Sequence, residues 1–79
     1  MELERAKDYF RVGLIEDALV KAPDVINQQG WTIELRGNFG NADPILRASR
    51  GGTRTFKTLD AAANVVREIG LKQWRVITD

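Results

Sequence analysis

The sequence contains neither cysteine nor histidine. Without cysteine there is no disulfide and no thiolate metal site; without histidine the commonest metal ligand and general base are gone as well. Carboxylate, lysine, serine or tyrosine chemistry remains, and it would have to converge in a pocket that 79 residues can hardly enclose. The expectation is a non-enzymatic chain with no cofactor, no metal and no small-molecule substrate. Long apolar runs are missing too. No stretch approaches the length of a membrane span, and residues 1–8 alternate in charge where a secretory leader would place a basic segment and then an apolar one. An untargeted, cytoplasmic protein without membrane contact is expected, a reading that the lack of cysteine fits without requiring. Charge of one sign is also scarce, since the net charge is only +1. Its distribution is uneven. Residues 1–30 carry four basic and six acidic groups, whereas residues 31–79 carry eight and five, with Arg36, Arg47, Arg50, Arg54 and Lys57 ahead of the best-marked helix.

That helix lies in residues 56–70, where a start signal, an apolar period and a stop signal agree. Thr58 can cap the free amides, Asp60 sits where the helix dipole favours an anion, and Ala62, Val65, Val66 and Ile69 recur at helical spacing. Gly70 permits a left-handed stop, and Leu71 can fold back on the last turn.

From the N-terminus, Leu3, Ala6, Phe10, Leu14 and Ala18 hold a spacing of three to four, widened by Val12, Ile15 and Leu19; the pattern predicts an amphipathic helix over 3–21. Gly13 costs that helix about 1 kcal/mol against alanine, enough to allow a break into a loose first half and a firmer second half. Pro23 ends it. Residues 24–30 admit either a short strand at Val25 and Ile26 or a last turn before a connection. Residues 31–36 alternate strictly, placing Trp31, Ile33 and Leu35 on one face of a strand. A turn-rich loop to Pro44 leads to a second strand at 45–49 and a third at 53–57, joined by Arg50-Gly51-Gly52. A three-residue turn there sets Ser49 opposite Thr53 and Leu46 opposite Phe56; a two-residue turn would set Phe56 opposite Arg47. Residues 73–78 alternate again, with Trp74 and Val76 inward. The expected fold is α+β, a single domain over 1–79 of helix, three-stranded antiparallel meander, helix and fourth strand (αβββαβ). Its βββαβ core spans 31–78, with sheet order 3-2-1-4 and the second helix on one face.

On that fold the other sheet face would carry Arg36, Arg47, Lys57 and Arg75, with Arg50 at the hairpin tip, a candidate nucleic-acid surface. The ordinary alternative is a solvated face on which Glu34 neutralises a neighbour. The Arg50 to Arg54 run is glycine-rich like a phosphate loop, but phosphate loops precede a helix and this one joins two strands, so a hairpin turn is the better reading. The stripe through Phe10, Leu14 and Leu19 is a candidate protein interface, a homodimer seam, against which stands packing within the chain. Phe39, at the tip of a glycine- and asparagine-rich loop, must either fold back or meet a partner.

The order helix, three antiparallel strands, helix resembles the double-stranded RNA-binding domain. That family opens its second helix with clustered lysines, whereas this one opens Thr58-Leu59-Asp60-Ala61, and the final strand is extra. Three strands, a helix and a fourth strand are similar to the antitoxin domain of HicB-type toxin and antitoxin pairs, with a matching phrase at Thr58 to Ala62. A wider resemblance rests on three phrases and a helix end: Gly30-Trp31-Thr32-Ile33-Glu34-Leu35, Leu46-Arg47-Ala48-Ser49-Arg50-Gly51, Arg54-Thr55-Phe56-Lys57-Thr58-Leu59-Asp60-Ala61-Ala62, and Ile69-Gly70. Together they cover most of residues 30–70 and resemble the small ParC-like partition-associated proteins of plasmids and integrative elements. The resemblance implies a non-enzymatic accessory of plasmid maintenance and assigns no contact residue; the partners expected are a second copy of the chain and a partition or other plasmid-encoded protein.

Overall fold

The structure, a computed structural model, describes residues 1–24 and 30–78. The expected alternatives at Val25 and Ile26 lie outside the described residues. The chain runs α1 (Leu3–Arg11), β1 (Ile15–Lys21), β2 (Thr32–Gly37), α2 (Leu59–Ile69) and β3 (Arg75–Ile77). Its sheet has the order β2-β1-β3, with β1 antiparallel to β2 and parallel to β3. The four-stranded sheet of order 3-2-1-4 is therefore corrected, among the described residues, to a mixed sheet of three strands.

The first correction begins at Gly13. Its φ of +85° lies in the left-handed region, and the turn closes with the Gly13 and Leu14 amides donating to the Phe10 and Tyr9 carbonyls at 3.0 and 2.8 Å. The predicted helix over 3–21 thus ends at Arg11, and its second half is a strand. Residues 14–21 fit either period, but as a strand they pair Ala18 with Leu35 and Val20 with Ile33, and all four are buried. A bulge between Ile15 and Asp17 shifts the pleat by one, so Ile15 also turns into the core although Asp17 and Leu19 face the other way.

Residues 45–49 and 53–57 are not strands. They follow the outer edge of β2 through isolated bridges, Glu34 to Ile45 and Trp31 to Phe56, with Arg47 meeting Thr53. The start of the chain explains this. The Arg47 amide donates to the Met1 carbonyl at 2.8 Å and the Met1 ammonium donates to the Ile45 carbonyl at 2.5 Å, so the N-terminus occupies backbone groups that a regular ladder would use. The turn is longer than either expected form. Arg47, not Ser49, stands opposite Thr53, and the Ala48 amide closes the loop on the Gly52 carbonyl. Leu46 and Phe56 are both buried as expected, yet Leu46 bonds to Ile33 of β2 and Phe56 to Trp31 just before β2, and not to each other.

α2 forms where its local signals place it. Thr58 Oγ1 accepts the Ala61 amide at 3.1 Å, Asp60 lies in the first turn, and Ala62, Ala63, Val65, Val66 and Ile69 are buried. Gly70 ends it at φ +129°, with Leu71 folded back and buried. Lys7 of α1 bridges to Glu68 of α2 at 3.0 Å. β3 follows, but it docks on β1 and not on β2, whose outer edge is already covered. Val76 was expected inward; it is 42% exposed, because a strand at the sheet margin extends past the cover of α2.

Candidate functional site

The sheet face opposite the core carries Asp17, Leu19 and Lys21 from β1, Glu34 and Arg36 from β2, and Arg75 from β3. Leu19 is only 4% exposed although it stands outside the main core cluster. Its strand neighbours, Glu34 on one side and Arg75 on the other, belong to ion pairs that close over this face. Arg75 reaches Asp17 Oδ2 with two nitrogens, at 3.0 and 2.5 Å, and Glu34 receives Lys21 Nζ at 2.7 Å and Arg36 Nε at 2.6 Å. The Lys21 ammonium, with Arg36 adding to it, holds the Glu34 carboxyl below its usual range against the opposing effect of burial.

Arg47 is elsewhere, beside the chain start. Its Nε donates to Asp43 Oδ2 at 2.6 Å and its Nη1 to Thr53 Oγ1 at 2.8 Å. The Arg47–Asp43 bond, with the Ile45 amide, pushes the Asp43 carboxyl down to about 2. The Met1 ammonium contacts the Asp43 carbonyl at 3.1 Å, and burial pulls its pKa down from the ordinary value. An open cleft of about 380 Å³ next to Arg47 is lined by Glu2, Glu4, Ser49 and Arg54, a mixture of both signs.

Among the five basic candidates, then, the structure brings Arg36 and Arg75 onto one face and separates Arg47 from them. All three have carboxylate partners. Arg50 and Lys57 are exposed and have no ion pair or hydrogen bond among the described residues. The candidate seam residues are not brought together either. Phe10 is half-buried with its ring against Gly70, Leu14 is half-buried in the turn before β1, and Leu19 lies on the strand. Phe39 folds back, its ring 6.1 Å from that of Tyr9 and packed on the core.

The surface that the sequence reading missed is the β3 margin. Val76 and Ile77 are each 42% exposed. Next to them, two shallow hollows of about 490 and 420 Å³ adjoin through Glu16 and Gln73 and are lined further by Trp74 and Arg75 in one and by Phe10 and Leu71 in the other. Arg67 stacks over the Trp74 ring at 5.0 Å. A terminal strand carrying a single charge was the signal available. Among the described residues no cluster of three acidic side chains could hold a metal ion, and no helix is long and apolar enough to cross a membrane.

A family model described as ParC-like matches residues 1–79. No curated protein and no solved structure matches the chain.

Proposed function

The chain belongs to the ParC-like family, and from that premise we propose that it is a small non-enzymatic accessory protein of plasmid or mobile-element maintenance. It works in the cytoplasm through protein–protein contacts, with a second copy of itself and with another plasmid-encoded protein. The observation that carries this reading is the family match over all of residues 1–79. The exposed apolar margin at β3 supports contact with protein, since exposed apolar side chains beside an open strand edge favour strand addition.

The reading is tested by deleting the gene from its replicon and following plasmid retention over generations without selection. Faster loss, reversed by supplying the chain in trans, is the expected result; unchanged retention overturns the maintenance role. A second reading, nucleic-acid binding, is favoured by Arg50 and Lys57, which lack carboxylate partners among the described residues. Light scattering with and without duplex DNA at low salt separates the two. A mass unaffected by DNA supports the adaptor. A DNA-dependent increase that disappears as salt is raised, and that weakens on Arg50→Ala or Lys57→Ala, supports the second reading.

A further inference from the structure

We infer that the outer edge of β3 is the seam between two copies of this chain, joined antiparallel with Val76 on the two-fold axis. The inference rests on the reading of the protein as self-associating and gives that association a surface and a register.

Among the described residues β3 is bonded on one side only. The sheet order puts β1 on that side, whereas the outer edge of β2 is covered by residues 44–56. The backbone parity of β3 follows from its ladder. Arg75 pairs with Leu19, Ile77 pairs with Lys21, and the Ala22 amide donates to the Ile77 carbonyl at 2.8 Å. In a parallel ladder this directs the N–H and C=O of Arg75 and Ile77 toward β1 and those of Val76 away from it. A two-fold axis at Val76 therefore lets the two valines exchange both hydrogen bonds, with Trp74 and Thr78 of opposite copies meeting next.

The side chains agree with that register. Val20 stands opposite Ile33 on β2 and opposite Val76 on β3, so the row continues across the axis as valine, valine and isoleucine without a polar residue. Val76, 42% exposed alone, would be covered by its own counterpart. On the other face Arg75 would lie opposite the second copy's Ile77, so like charges do not oppose each other.

Edge strands are ordinarily protected from such pairing by an outward charge. The single charge of β3 is Arg75, and it is drawn back over β1 by both of its bonds to Asp17. What remains at the margin is Val76 and Ile77. A second copy fits this edge better than a foreign strand because the register is its own complement under a two-fold. A three-residue edge falls well below the roughly 1,200–2,000 Å² of a stable interface, so association should be weak and concentration-dependent.

The test uses the full chain in sedimentation equilibrium over a concentration series, with amide exchange at the same concentrations. Val76→Pro removes an N–H that the folded monomer does not use, at a position where an edge strand tolerates proline. Ile77→Lys restores an edge charge and decides the matter if the proline variant fails to fold. The wild type should move from 8.9 kDa toward twice that mass, with the Val76 amide gaining protection as it does so. Each folded variant should associate at least tenfold more weakly, with an unchanged circular dichroism spectrum. Variants that associate like the wild type, or association that leaves the Val76 amide unprotected, overturn the seam while self-association stands. A wild type monomeric at every concentration overturns both. If its Val76 amide is then protected only on adding a purified protein from the same replicon, the edge belongs to that protein.

Discussion

Gly70→Ala tests how α2 is stopped and how α1 is held against it. Gly70 has φ +129°, a conformation that costs a residue with a side chain about 1–3 kcal/mol. A methyl group built there would also come within 2.6 Å of two carbons of the Phe10 ring. That ring is half-buried, and displacing it sacrifices part of the roughly 1.5–3 kcal/mol that full burial of a phenylalanine contributes, about 1 kcal/mol. The two effects together predict a loss of about 3 kcal/mol, a large share of the roughly 5–15 kcal/mol of a typical domain. For a chain of this size the melting temperature should fall by roughly 12–24 °C. Urea unfolding of the wild type, Gly70→Ala, Phe10→Ala and the double variant closes a cycle. If the methyl strikes the ring, the double variant will be about 1 kcal/mol more stable than the sum of the single losses implies. A Gly70→Ala variant within about 0.5 kcal/mol of wild type would refute the backbone argument. Strict additivity would refute the ring contact. Phe10→Ala should leave the sedimentation mass unchanged, because Phe10 packs within the chain.

Two further predictions concern single side chains between β2 and α2. The Asp43 carboxyl is held at about 2 against an ordinary 3.8, first by Arg47 and then by the Ile45 amide. A depressed carboxyl stabilises the fold above its unfolded pKa, so this contribution is complete above about pH 4 and is lost as pH falls toward 2. Asp43→Asn should flatten the decline of melting temperature between pH 4 and 2; a decline as steep as the wild type's would assign acid sensitivity to other carboxylates, Glu34 among them. Thr58→Ala removes the side-chain acceptor for the Ala61 amide and should cost about 1 kcal/mol in urea unfolding, with Thr58→Ser recovering most of it.

The sequence by itself determined α2, because each of its determinants is local. The cap at Thr58, the acidic first turn, the apolar period and the stop at Gly70 act within one or two turns of the chain. It also determined β2, where alternation over residues 31–36 leaves one face apolar, and the existence though not the neighbour of β3. Residues 14–21 were different. Their apolar positions satisfy both a helical and an extended period, so the choice belongs to the partner strand, which rewards Ala18 and Val20 with the company of Leu35 and Ile33. Tertiary structure likewise decided residues 45–57. Their alternation fits strands, but the Met1 ammonium and carbonyl take backbone groups that a ladder would need, and those partners lie 44 and 46 residues away in the chain. The candidate surface divides the same way. Arginines are visible in a sequence and their neutralisation is not, since Asp17 and Arg75 stand 58 residues apart and meet only when β3 docks on β1. The exposed margin at Val76 has the same origin: alternation marks a residue for one face of a sheet, and the strand order decides whether that face is covered there.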